Sequence, residues 1–327
     1  MSIEPLVTVM IPTYNQEQWI KRAIESVQKQ NYKNVEMIVS DDCSIDNTEV
    51  VVRDLIAVTG DSRIKYFKNN KNIGILKNYH ETLHRSSGEF VVNLDGDDFF
   101  IDNNFFACAV AVIQKDNAIK LVFANYCESW NHDGCRVPVI NKNIPSVMTD
   151  ISFLRKYADG RIKWNHNTIF YRRRQAVDLG FYWDPEIPRN DWESFLRLVI
   201  GGKVAYLPMT AAAWSQHENN ETKRADITKY LRNLVLVEGV ASAMQSRFDW
   251  RFVNRWKWRT KRNLIQESCL GYLKNRNYWH VLKFLHAAWQ SDPGPVLDAL
   301  GSFSFMGRAL LSIDSRVYGL AKKRFHK

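Results

Sequence analysis

The sequence predicts an α/β fold, a mostly parallel sheet covered by helices, with an α-helical region behind it. Three observations carry this. Short β-rich apolar runs alternate with helical spacing four times in the N-terminal third. Each run ends on polar residues, as strands do when their tips face a ligand crevice. From about residue 227 glycine and strand signals fade, and helical periodicity takes over.

The elements follow in order. Residues 6–11 are a β-rich run closed by Pro12, Thr13, Tyr14 and Asn15, and Trp19, Ile20, Ala23, Ile24 and Val27 then recur at helical spacing. A second apolar run, 35–39, ends in Ser40, Asp41, Asp42, Cys43 and Ser44; Asp46, Asn47 and Thr48 can cap a helix over 50–58. A strand at 64–67, a loop at 69–74 and a helix at 76–84 lead to a strand, 90–94, that runs into Asp95, Gly96, Asp97 and Asp98. Beyond it the pattern predicts a helix over 105–115, a strand over 121–124, a polar stretch of hairpin character over 128–148, a strand over 168–171 and a short helix over 173–179. Residues 180–184 are aromatic and turn-like, and 189–200 form an amphipathic helix with an acidic first turn. A strand at 204–207 and a polar loop at 214–220 close this part, and helices are expected over 230–244, 254–273, 278–289 and 310–325. The shift in charge and composition sets an N-terminal domain at 1–226 and a basic α-helical region at 227–327.

The 327 residues, 45% hydrophobic and 24% charged, have the composition of a globular protein. Five cysteines, odd in number and without a Cys-x-x-Cys pair, argue against a disulfide framework or zinc site and fit a reducing cytoplasm. No secretory leader is read at the N-terminus, and no apolar run approaches the roughly 18 residues of a membrane span. The net charge of +10 is unevenly spread: residues 227–327 hold 18 Lys and Arg against 6 Asp and Glu, and residues 1–226 hold 27 against 29. That balance argues against nucleic acid as the partner of the N-terminal part.

The acidic strand end is the centre of the chemistry. Three carboxylates around one glycine repel one another unless a cation bridges them, and a hard divalent ion, Mg²⁺ or Mn²⁺, is the simplest choice. A solvated acidic turn is the competing reading, since Asp-Gly is a common turn pair.

Five stretches, in this order, resemble glycosyltransferase family 2, a group of inverting enzymes with the Rossmann-like GT-A fold. They are residues 7–15; residues 39–44 with Asp46; Asn72, Ile73 and Gly74 with Asn78; Gly88, Glu89 and Phe90 leading to the four residues Asp95, Gly96, Asp97 and Asp98; and Asn190, Asp191, Trp192 and Glu193 with Leu196 and Arg197. The resemblance covers roughly residues 5–222. It implies a nucleoside-diphosphate sugar as donor, with a UDP or dTDP base: Asp42 or Asp41 can accept from the imide N–H, while Pro12, Thr13, Tyr14 and Asn15 frame the ring. Asp95 or Asp97 would reach ribose or metal, and Asp98 looks like the main metal ligand. Lys77 and Asn78, on one helix, would contact the nucleotide; a solvent-facing lysine is the alternative.

The family's catalytic base falls on Asp191, with Asn190 where the usual neighbour is Glu; a helix cap is the plainer role for Asp191. His217 matches a position that holds metal or diphosphate, against the alternative of a solvated histidine. His166 would line the acceptor site, with Trp164 and Trp192 as platforms for sugar faces unless they are core. The activity implied is metal-dependent transfer to a hydroxyl of a glycan or lipid-linked acceptor in bacterial polysaccharide, O-antigen or capsule synthesis, in the cytoplasm or peripherally on the inner face of the membrane.

Two other functions compete. A sugar-nucleotide nucleotidyltransferase would carry a Gly-rich, Arg/Lys-bearing loop after the first strand, where this chain has Pro12 to Asn15. A non-catalytic membrane or nucleic-acid adaptor would act through the basic end. Residues 247–262 interleave aromatics and cations, and Leu310, Ile313, Val317 and Leu320 share a helical face beside Arg316, Lys322, Lys323, Arg324 and Lys327. Such helices can lie on an anionic membrane surface, bind nucleic acid, or pack on the catalytic domain with solvated cations.

Overall fold

Apolar runs that are buried on both faces read as continuous rather than alternating, and the first two strands show this directly. In the computed structural model, which describes residues 4–130, 135–183, 190–217, 227–274 and 277–302, all seven residues of β1 (Val7–Thr13) and of β2 (Val35–Asp41) are buried. Between and after them come α1 (Ile20–Gln28), α2 (Thr48–Thr59), β3 (Ile64–Lys68), α3 (Ile75–Arg85) and β4 (Phe90–Asn93). β1 pairs in parallel with β2 and β4, and β2 in parallel with β3, giving the order β3-β2-β1-β4. The carboxyl tips of all four therefore share one edge.

The second half of the sheet adds β5 (Phe99–Phe100), α4 (Phe105–Ile113), β6 (Ile119–Trp130), β7 (Cys135–Val139), β8 (Val147–Thr149), α5 (Asp150–Ala158), β9 (Ile169–Arg172), α6 (Arg173–Asp178), α7 (Asn190–Val199) and β10 (Lys203–Gln216). Here the predicted alternation gives way. β9 inserts antiparallel between β4 and β6, and β6 pairs in parallel with β10. An antiparallel strand delivers its N-terminal end to the edge where its neighbours deliver their C-terminal ends. The residues just before β9 thus reach the acidic tip of β4.

Several expected boundaries shift for identifiable reasons. The strand read at 204–207 continues through Pro208 to Gln216, with register shifts between Leu207 and Thr210 and between Thr210 and Ala212. Proline cannot donate to a ladder, so the strand bulges there and resumes; Trp214, Ser215 and Gln216 belong to the strand rather than to a loop. β6 runs to Trp130 and pairs with β7, which is the hairpin character read in 128–148. α5 has no counterpart in the sequence reading.

The chain divides into two units, residues 1–156, 161–185 and 190–220 in one, and 157–160, 186–189 and 221–327 in the other. The second is helical where described: α8 (Ile227–Met244), α9 (Trp250–Lys274), α10 (Tyr278–Ser291) and α11 (Pro293–Gly301). α9 starts four residues earlier than its apolar spacing predicts, where Asp249 Oδ1 accepts from Phe252 N at 3.0 Å as a cap. α11 was hidden by its prolines, which a first helical turn tolerates. Lys261 is buried and pairs with Glu238 at 2.7 Å and Asp292 at 2.9 Å, joining α8, α9 and the α10–α11 corner. The helix expected at 310–325, with the cations assigned to it, lies outside the described residues. No described helix is long and apolar enough to cross a membrane.

Candidate active site

The floor of the site is the end of β2. Asp41 is fully buried, its two oxygens accepting from Ser44 N at 2.7 Å and Tyr66 Oη at 2.6 Å. Asp42 folds the 69–74 loop over itself, taking Ile73 N at 2.9 Å, Gly74 N at 2.8 Å and Asn69 Nδ2 at 3.0 Å. Asn78 is buried and spends its amide on Ser40, donating to its carbonyl at 2.7 Å and accepting from its hydroxyl at 2.8 Å. Lys77 is exposed. Neighbours on a helix point about 100° apart, so the two do not share a crevice as expected: Asn78 pins α3 to β2, and Lys77 faces solvent.

The turn after β1 closes against the acidic tip. Thr13 Oγ1 donates to Gln16 Oε1 at 2.7 Å, and Asn15, at φ 54°, accepts from Ile45 N at 2.9 Å. Pro12 is buried in β1 opposite Ser40, while Tyr14 stands 43% exposed with a ring face free to stack. Gly96 sits against this turn. A Cβ there would lie 2.2 Å from Gln16 Oε1 and 2.8 Å from Thr13 Oγ1, which is why a glycine separates the acids.

The three acids are held in three ways. Asp95 accepts from Tyr79 Oη and lies 3.1 Å from His166 Nε2. Asp97 Oδ2 lies 2.7 Å from His217 Nε2, and its carbonyl accepts from Ser215 Oγ at 2.6 Å and Arg22 Nη2 at 2.9 Å. Asp98 is buried and accepts from Ser215 N at 2.8 Å and Asn167 Nδ2 at 3.0 Å. Burial, then the Asp97 and Asp95 carboxylates, push Asp98 well above the usual carboxylate range. Burial also works against charge on Asp95, but His166 beside it and the hydrogen bond from Tyr79 hold it below that range.

His166 joins the acids to α7. Its Nδ1 lies 3.5 Å from Asp191 Oδ2 while Nε2 faces Asp95. Burial disfavours the imidazolium, yet Asp95 and Asp191 on either side outweigh it and raise His166 well above its ordinary value. Asp191 opens α7 and is half-buried, so both the base position and the cap position of the sequence reading are one place. Behind it Glu193 is buried and paired with Arg197 at 2.6 Å.

Two candidate positions change their meaning. Trp164 is 3% exposed and packs among Phe123, Phe153, Phe195 and Trp192, so it is core and offers no open face to a sugar. Trp192, half-buried against it, keeps part of its surface. His166, expected beside an acceptor, has both ring nitrogens turned to carboxylates. Tyr79, Arg22, Ser215 and Asn167 were not anticipated; Tyr79 carried a signal only in the buried stripe it shares with Leu76 and Leu83.

For a cation, Asp95, Asp98 and His166 offer ligand atoms that all lie within 4.8 Å of one another. Asp97 and His217, which follows β10, form a second carboxylate–imidazole pair, with His217 stacked on Trp19 at 4.4 Å between ring centroids.

A mostly parallel central sheet with buried acids at its carboxyl tips is the GT-A arrangement. The same fold is found in the crystal structure of S. aureus TarS in complex with UDP-GlcNAc, at a TM-score of 0.60, 17% identity, and coverage of 85% of this chain and 89% of that one. Residues 8–178 match Glycosyl transferase family 2, and the chain belongs to that family. It is 45% identical over 95 residues to the GalNAc(5)-diNAcBac-PP-undecaprenol beta-1,3-glucosyltransferase of Campylobacter jejuni, which is 29% of this chain and 30% of that protein. It is 37% identical over 121 residues to the UDP-Glc:alpha-D-GlcNAc-diphosphoundecaprenol beta-1,3-glucosyltransferase WfgD of Escherichia coli, which is 37% of this chain and 46% of that protein. The aligned part spans less than half the length of either relative.

Proposed function

We propose that this chain is a metal-dependent inverting glycosyltransferase that moves a sugar from a UDP- or dTDP-sugar to a hydroxyl of a lipid-linked glycan acceptor in bacterial surface-polysaccharide synthesis. Residues 1–226 are the transferase domain in this reading, working peripherally on the inner face of the membrane. The observation that carries it is His166, standing between Asp95 and Asp191 and tying the one helix-borne carboxylate to the acidic strand end. The undecaprenol-linked acceptors named for both relatives support the acceptor class, and the UDP-GlcNAc of TarS supports a uridine donor.

Asp98 is the proposed main holder of Mn²⁺ or Mg²⁺, with Asp95 and His166, whose ligand atoms lie within 4.8 Å of one another, and with Asp97 and His217 as the neighbouring pair. The donor set of carboxylate oxygens and one imidazole suits such ions, and the crowding of Asp95 and Asp97 that opposes charge on Asp98 is what a cation would relieve. Bound there, the ion would supply Lewis-acid stabilisation of the charge that grows on the leaving diphosphate. The protein's own part is positioning and proton transfer. Asp191 accepts the acceptor hydroxyl's proton as its oxygen attacks the anomeric carbon, and the electron pair of the broken C–O bond leaves with the diphosphate. One displacement gives inversion. His166 aims Asp191 from 3.5 Å, and Asp42 with the 13–15 turn forms the nucleobase end.

The test is transfer by the full chain from UDP-, dTDP- and GDP-hexoses to a diphosphate-lipid acceptor, with and without a chelator. Inverted product from a uridine or thymidine donor, lost on chelation, is expected. Asp191→Asn should lower turnover about 10²–10⁴-fold with nucleotide affinity kept. Retained anomeric configuration, or turnover unchanged in Asp191→Asn, overturns the reading.

A further inference from the structure

Helix α10 turns Phe284 and Ala288 inward, yet its outer side is not polar. Trp279, Leu282 and Trp289 are 64%, 59% and 44% exposed, and they recur with Lys283 and His286 at spacings of three and four, so they share one face. Lys283 Nζ lies 5.9 Å from the Trp279 ring centroid. The start of α9 repeats the pattern. Trp250 is 69% and Trp258 44% exposed, with Arg251 and Arg255 exposed between them and the Arg251 guanidinium 5.7 Å from the Trp250 ring. The Trp258 ring lies against Gly294 at the head of α11, where a Cβ would be 2.2 Å away, and its Nε1 donates to Asp298 Oδ2 at 3.0 Å, so one side of this indole is spent on α11 and the other is exposed.

A single exposed leucine means nothing. Four exposed tryptophans on two helix faces, two with cations over their rings, are a different composition. Indole rings settle at headgroup depth, and Lys and Arg stems reach from apolar surface to phosphate, so one anionic leaflet satisfies both sets of groups at once. The excess of 18 cations over 6 acids in 227–327 complements it in charge. We infer that the outer faces of α9 and α10, through Trp250, Trp258, Trp279, Leu282 and Trp289, dock on an anionic lipid bilayer. The choice of lipid over another protein rests on the lipid-linked acceptor proposed above, which is confined to the same plane.

Full-length protein is pelleted with phosphatidylglycerol/phosphatidylcholine vesicles and with phosphatidylcholine vesicles alone. Partitioning about ten-fold stronger onto the anionic vesicles, weakened by about 0.5 M NaCl, is expected. The variant carrying Trp279→Ser, Leu282→Ser and Trp289→Ser should lose about ten-fold in partitioning with its helical circular dichroism intact; Trp279→Ser alone serves if the triple variant misfolds. No pelleting with anionic vesicles, or unchanged pelleting of the folded variants, overturns the inference. So does a wild-type dimer that these substitutions dissolve, since the face would then belong to a second copy. Binding is read without turnover, so its failure leaves the transferase reading standing.

Discussion

Glu36 in the sheet and Arg251 on α9 are charged side chains under opposite rules. The Glu36 side chain is 5% exposed and takes hydrogen bonds from Thr8 Oγ1 at 2.6 Å, Ser87 N at 2.6 Å, Gly88 N at 3.2 Å and Lys65 Nζ at 2.6 Å. It fastens β1, β2, β3 and the entry to β4 at the end of the sheet away from the site. Gly88 must be glycine for this, because a Cβ there would lie 2.7 Å from Thr8 N. Arg251 stands in water beside a tryptophan ring. At Glu36 charge is buried and therefore committed to fixed partners; at Arg251 and Arg255 on α9 and Lys283 on α10 it is solvated and therefore available to a partner from outside.

The sharpest way to break that contrast is to empty the buried end. Glu36→Ala should cost about 3 kcal/mol, because four donors lose their acceptor. Burial opposes its charge, but Lys65, Thr8 and Ser87 lower its pKa from 4.5 to about 2. Its contribution is therefore complete above pH 4.5 and lost as pH falls towards 2. Urea melts of wild type and Glu36→Gln should converge as pH drops through that window; a constant gap would remove Glu36 from the set of committed charges.

His166→Gln is next, at about 2 kcal/mol near neutral pH. Its sign runs the other way. A histidine raised by two carboxylates stabilises fully below its unfolded value and loses that contribution as pH rises through the higher folded value. Melting midpoints of wild type and variant should approach each other on the alkaline side, and a gap that widened there would contradict the Asp95–His166–Asp191 bridge. At the solvated end Arg251→Gln should leave the melting midpoint unchanged in a thermal scan. A clear drop would mean that Arg251 is committed after all.

Much of this was legible in the chain. The first four strands, three intervening helices and the polar residues at each strand tip follow from local periodicity, while Asp191 is singled out by the family resemblance alone. The phase difference between Lys77 and Asn78 was also readable from helical geometry, with Leu76, Tyr79 and Leu83 marking the buried stripe. Glu36 carried a signal too, as a lone acid inside an otherwise apolar strand. Trp164 did not: Trp164, Asn165, His166 and Asn167 alternate between core and site within one turn, and only packing separates the tryptophan from the histidine.

What the sequence by itself determined is the run of strands and helices and the concentration of carboxylates where strands end, because periodicity and turn chemistry act over a few residues. What the tertiary structure alone decided is which of these ends meet. The antiparallel insertion of β9 brings His166 to the tip of β4, and the bulge at Pro208 carries β10 on until Ser215 reaches Asp98. The hydrogen bonds of Asn167, beside His166, and of Ser215 to Asp98 join residues 69 and 117 positions apart. No local propensity specifies a contact at that range; burial of both faces of one sheet does.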